Sequence, residues 1–263
     1  MSQENVGTNL PARRRGMTVC LLISALVIGL YFIPYGQYVL YPLMLVYTFI
    51  HEMGHGIAAF LMGGDFVKFE MWLDGSGVAT SALPIDASRL SKAFVAFGGL
   101  VAPAVMAAVC LILGRSNKAS RVGLYVFSGI CALSLILVVR NLFGMVFVAL
   151  CGAICFGLAY FKRQTQSSLP QYSMLFVAIT LLTAVFSRGD YLFTATAETS
   201  GGTMPSDVGQ IANYLLLPYW FWGGLIAVVS VAILVLGVRG FFYTAPKDSG
   251  APKKLQAEKE AGV

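Results

Sequence analysis

Charge is scarce in this chain. Of its 263 residues, 11% are Asp, Glu, Lys or Arg, whereas a soluble globular domain carries roughly 25%. So few charges cannot clothe a water-facing surface, which excludes an ordinary soluble domain. Histidine is scarcer still, with two in the chain. A metal site built on imidazole must therefore complete its ligands with Cys or a carboxylate. The five cysteines, Cys20, Cys110, Cys131, Cys151 and Cys155, all lie inside apolar runs. Cys151 and Cys155 share a helix face, but no further Cys or His is near them in sequence. All five read as small core hydrophobes rather than disulfide or metal partners. No repeat recurs at a fixed period, which argues against a solenoid. No small-x-small cleavage site follows the first apolar run, which points to an uncleaved helix instead of a signal peptide.

What is present is apolar length. Hydrophobic residues make up 57% of the chain, and the mean hydropathy is +0.76. A membrane-spanning helix needs about 20 mostly apolar residues. Runs of that kind occur near 17–34, 38–63, 93–113, 122–139, 141–161, 171–187 and 213–238. Pro218, near the start of the last, bends that helix or marks its true beginning. The fold class that follows is an all-α polytopic membrane protein with about seven transmembrane helices. Residues 1–16 read as a disordered basic tail, 17–240 as a single transmembrane domain, and 241–263 as a disordered C-terminal tail.

The net charge of +6 comes largely from short basic clusters at helix ends: Arg13–Arg15, Arg115/Lys118/Arg121, Lys162-Arg163 and Lys253-Lys254. Scattered in this way they suit anionic headgroups, and nucleic acid is not expected as a partner. Arg13–Arg15 argue for a cytoplasmic N-terminus, yet with seven spans the three later clusters fall on the opposite side.

Within the second apolar run stands His51-Glu52-Met53-Gly54-His55. Between Val39 and Gly64 these two histidines and Glu52 are the sole ionisable groups apart from tyrosines. Charged groups in hydrocarbon are costly and mark function. On a helix, His51 and His55 lie one turn apart on one face. Two imidazoles so placed can hold one Zn²⁺, with Glu52 beside them as general base. A shuffled chain of this composition would produce the pattern roughly twice in ten thousand trials. Gly54, Gly56, Ala58 and Ala59 would let a neighbouring helix come close, and Gly63-Gly64 would end the helix.

The next stretch changes character. Phe66, Val67, Phe69, Met71, Trp72 and Val78 flank Asp74-Gly75-Ser76-Gly77, which predicts a small β-hairpin over about 65–82.

These residues resemble the site-2 protease class of intramembrane zinc metalloproteases, peptidase family M50, and most closely its M50B-like branch. The stretch from His51 to Ser81 carries most of the likeness. "AFGGLVAPAVMAA" (96–108), "VRNLFGMVFVALCGA" (139–153) and "PSDVGQIANY" (205–214) extend it. The resemblance implies one zinc per chain, held by His51, His55 and an aspartate. Asp207 matches the Ser-Asp pattern of the branch, with Asp190 and Asp74 as alternatives, the last by its L-D-G context. Against this stands the ordinary use of an Asp at a helix end as a cap. The resemblance also implies that the hairpin pairs with extended substrate, so that Phe69 and Met71 would face it, and that Asn141 would touch substrate or steady an oxyanion. The simpler reading of Arg140-Asn141 is a tight turn at the membrane surface. The usual N-P-x-x-P-x-x-D-G signature is missing.

The expected activity is therefore cleavage of another membrane protein by a multi-pass protein of the bacterial inner membrane. The rival readings are a zinc-holding scaffold of the same fold and a metal or proton transporter.

Overall fold

The computed structural model describes residues 10–160, 168–187 and 189–243. The chain forms α1 (Leu10–Phe32), α2 (Gly36–Leu61), β1 (Asp65–Met71), β2 (Gly77–Ala82), α3 (Arg89–Leu113), α4 (Asn117–Leu137), α5 (Leu142–Tyr160) and α6 (Leu169–Ser187). A 3₁₀ turn (Gly189–Phe193), β3 (Thr196–Thr199), β4 (Gly202–Pro205), α7 (Asp207–Leu215) and α8 (Tyr219–Tyr243) follow. Residues 1–9 and 244–263, which hold most of the expected tails and Lys253-Lys254, lie outside the described residues, as do Lys162 and Arg163. The helix α1 already begins within the stretch assigned to the N-terminal tail.

The structure is mostly helical, and five of its helices, α3 to α6 and α8, are long and apolar enough to cross a membrane. The expected polytopic membrane architecture is met, and the count of about seven is not confirmed by these five. Among the described residues of α1, Thr18–Leu30 is an apolar stretch. The helix α2 is long enough but gives up apolar character to His51, Glu52 and His55. The final span also differs from expectation. Pro218 does not bend it; the residue sits just ahead of α8, and residues 213–215 belong to α7. The left-handed Leu216 (φ 68°) separates the two helices.

Helix boundaries follow local chemistry. Ser88 caps α3 by accepting from the Ser91 amide at 3.0 Å, and Ser116 caps α4 through the Ala119 amide at 3.2 Å. Without an apolar driving force between helices in lipid, close backbone approach must supply contact. The pair α2 and α3 does this with small residues: a Cβ on Gly54 would lie 2.5 Å from Ala102 Cβ, and one on Gly98 would lie 2.4 Å from Ala58 Cβ.

The strands β1 and β2 form the expected antiparallel hairpin, Asp65 opposite Ala82 and Met71 opposite Gly77. Gly75 takes the left-handed conformation the turn requires (φ 84°). The hairpin is tied to α2. Tyr41 donates to the Leu73 carbonyl at 2.5 Å and Thr48 to the Gly75 carbonyl at 2.8 Å. The far edge of β1 is covered: the Phe69 amide donates to the Val138 carbonyl (2.7 Å), and the Arg140 amide to the Phe69 carbonyl (3.0 Å). The α4–α5 turn thus acts as a short third strand.

A second hairpin, β3–β4, was not expected. It pairs Thr196 with Pro205 and Thr199 with Gly202. Its strands are four residues each, half exposed and rich in Thr, so they lack the apolar alternation that marks a buried strand. The Ser-Gly-Gly turn at 200–202 was the available signal.

Candidate metal centre

The two histidines project from α2 toward α7. Asp207, at the start of α7, meets them both: its Oδ2 lies 3.0 Å from His51 Nε2 and its Oδ1 lies 3.3 Å from His55 Nε2. The two Nε2 atoms are 3.2 Å apart. All three side chains are buried. Asp207 is free for this because Ser206 does the capping. Its Oγ accepts from the Gly209 amide at 3.1 Å and donates to the Thr194 carbonyl at 2.5 Å. The expectation that an aspartate here might merely cap the helix is thus met by its neighbour.

Burial alone would raise the Asp207 carboxyl, but His55 and His51 beside it hold it well below the usual carboxylate range. A carboxylate held in that direction beside two imidazoles could hold a metal ion. His55 is oriented from behind, with Nδ1 2.9 Å from the Val95 carbonyl of α3, which leaves Nε2 to face the cluster. The Nδ1 of His51 is buried without a hydrogen-bond partner among the described residues. Tyr191 donates to Asp207 Oδ2 at 3.3 Å, and its ring stands edge-on to His51 with centroids 6.3 Å apart. Nothing in the sequence pattern marked Tyr191, whose neighbour Asp190 drew attention instead.

The donor set fits a divalent metal. Two imidazole lone pairs and a carboxylate cannot converge in a buried site without a cation or shared protons. Ligands about 2.0–2.1 Å from a tetrahedral zinc stand about 3.3–3.4 Å from one another; here the two Nε2 atoms are 3.2 Å apart, with Asp207 Oδ2 3.0 Å from one and Oδ1 3.3 Å from the other.

Glu52, the residue after His51, turns toward β2. Its Oε2 accepts from the Ala79 amide at 2.6 Å. Since that amide points away from β1, it belongs to the free edge of β2. A cleft of about 240 Å³ is lined by Gly77, Val78, Ala79 and Ser81 of β2 and by Ala197, Thr199 and Met204 of the second hairpin, together with His51, Glu52, His55 and Asp207. The tips of the two hairpins are joined: Ser200 Oγ donates to Asp74 Oδ2 at 2.7 Å, and Asp74 Oδ1 accepts from the Ser76 amide and hydroxyl at 2.9 and 2.6 Å.

The remaining candidates fall elsewhere. Asp74 is not in the cluster; its carboxylate is used to join the hairpin tips. Asp190 lies in the 3₁₀ turn, and its side chain is outside the described residues. Phe69 and Met71 are 0% exposed and belong to the core with Phe49, Met53, Val139 and Val148. Asn141 is spent on β1, with its Oδ1 accepting from the Met71 amide at 3.2 Å and its Nδ2 donating to the Met71 carbonyl. These three residues were expected to meet substrate and do not face the cleft. The covered edge of β1 is the reason, and it leaves β2 as the open edge.

A family model described as Peptidase M50B-like matches residues 19–237. The chain belongs to the peptidase M50B-like family. This family is one of membrane metallopeptidases, in keeping with the apolar helices and the His-His-Asp group of this member. Neither a curated protein nor a solved structure matches the chain.

Proposed function

We propose that this M50B-like protein is an intramembrane zinc metalloprotease that hydrolyses a peptide bond in or near a transmembrane segment of another membrane protein. The observation that carries this reading is the meeting of His51, His55 and Asp207 one residue from Glu52, along an open strand edge. In this reading His51 Nε2, His55 Nε2 and Asp207 hold one zinc per chain, which when bound supplies Lewis-acid activation of water and of the peptide carbonyl. Glu52 takes the proton from water and returns it to the leaving amine. The β2 edge supplies main-chain partners for a substrate segment that has unwound. Residues 17–240 act as a single domain, integral to the bacterial inner membrane, with lipid and a membrane-protein substrate as its partners and no role for nucleic acid.

The test replaces Glu52 with Gln in protein reconstituted with single-span substrates. Cleavage should fall by about 10²–10⁴-fold, while zinc stays at one per chain. Full activity in that variant sinks the mechanism. A wild-type protein that holds zinc but cleaves no single-span protein would instead be a scaffold.

A further inference from the structure

The ionisable groups that line the cleft are the four of the centre, two tyrosines, and one cation, Lys92. The acids are already engaged. Asp207 is used by the imidazoles and Glu52 by the Ala79 amide. Among the described residues no acid lies within ion-pair distance of Lys92. Lys92 is half-buried in the first turn of α3, which starts just after β2 and its link to the helix. It precedes Val95 by three positions and so shares the face that reaches His55. A half-buried cation with no ion-pair partner among the described residues, beside an edge that could pair with an extended peptide, can act as a recognition element for an anion.

We propose that Lys92 makes the cleft selective for a carboxylate on the substrate, within roughly three residues of the bond that is cut. The spacing follows from the geometry. Lys92 stands about 4.5 Å along α3 from Val95 at 1.5 Å per residue, and an extended peptide advances about 3.3 Å per residue. The carboxylate is an Asp or Glu side chain, or the free C-terminus of a segment already trimmed by an earlier cut. The inference rests on the peptide-binding reading of the cleft but not on turnover.

The experiment uses the full chain with Glu52→Gln, zinc-loaded in lipid vesicles, and single-span peptides that carry Glu, Gln or Lys at each of three positions on either side of the cleavage site. A further pair differs in having a free or amidated C-terminus. Binding should favour Glu over Lys about tenfold at one position, and Lys92→Glu should invert that preference. Lys92→Arg should keep it. Preference confined to the free C-terminus identifies the trimmed segment as the source. Equal binding of Glu and Lys peptides at every position overturns the inference. So does a Lys92→Glu variant that weakens all peptides alike, since that is the behaviour of a lysine holding a lipid headgroup. The same series assayed for cleavage with the Glu52-containing protein separates the two claims: selective binding without cleavage refutes the protease and leaves Lys92 as the selector.

Discussion

Gly99 is the position at which helix α3 packs against a histidine of the candidate metal centre. A Cβ there would lie 2.2 Å from His55 Nε2 and 2.3 Å from Cε1. Ordinary contact begins near 3.5 Å, so Gly99→Ala requires the imidazole to withdraw by roughly 1.3 Å. The ring has little room, because its Nδ1 is tied to the Val95 carbonyl on the same helix as Gly99. Metal–ligand distances tolerate about 0.2 Å, and a 1 Å misplacement at a catalytic centre can cost about 100-fold. Gly99→Ala should therefore lower zinc affinity and cleavage by about 100-fold. Gly98→Ala instead strikes Ala58 Cβ at 2.4 Å and the Gly54 carbonyl at 2.8 Å. That variant should lose thermal stability first, by forcing α2 from α3. Gly129, with nothing near its Cβ position, serves as the neutral control. The assay is zinc per chain after competition with a graded chelator, alongside a melting curve. Wild-type zinc retention in a folded Gly99→Ala protein would refute the claim that α3 sets the position of His55.

Three further outcomes follow from the geometry. Tyr191→Phe removes the hydroxyl that supports Asp207 and should cost about 10-fold or more in zinc affinity, read by the same chelator competition. Phe69→Ala empties a core position and should destabilise the protein by about 3–5 kcal/mol with no change in substrate preference; a shift in preference at unchanged stability would restore the residue to the substrate face. Asp74→Asn should loosen the joined hairpin tips and raise protease sensitivity near Ser200. Burial raises the Asp74 carboxyl, but hydrogen bonds from Ser76 and Ser200 outweigh this and hold it below its ordinary value. Its contribution is therefore complete above about pH 4 and declines as pH falls through the lowered value. Limited proteolysis of wild type and variant across that range should converge at the acid end.

The legible parts of this protein were those written in neighbouring residues. His51, Glu52 and His55 are close in sequence, and helical spacing alone puts the two imidazoles on one face. The first hairpin was equally plain, because Asp74 to Gly77 interrupts two β-rich runs. Apolar length marked the helices, although composition could not say that α2 trades apolar character for its site. The parts that were not legible depend on elements far apart in the chain. Asp74, Asp190 and Asp207 all follow the same cue of a turn or helix end, and only the likeness of Ser206-Asp207 to the family pattern put Asp207 first. Asp207 stands out because Ser206 takes over the cap and α7, packed on α3 and α8, brings its carboxylate to the two histidines. Phe69 and Met71 share the composition of a substrate-facing strand. They became core because Val138 to Asn141 covers the other edge of β1, a pairing between segments with no periodic signal. Local periodicity put two histidines and a glutamate together on one helix. Tertiary contact alone decided which carboxylate joins them and which strand edge stays open, since both depend on backbone partners brought in from elsewhere in the fold.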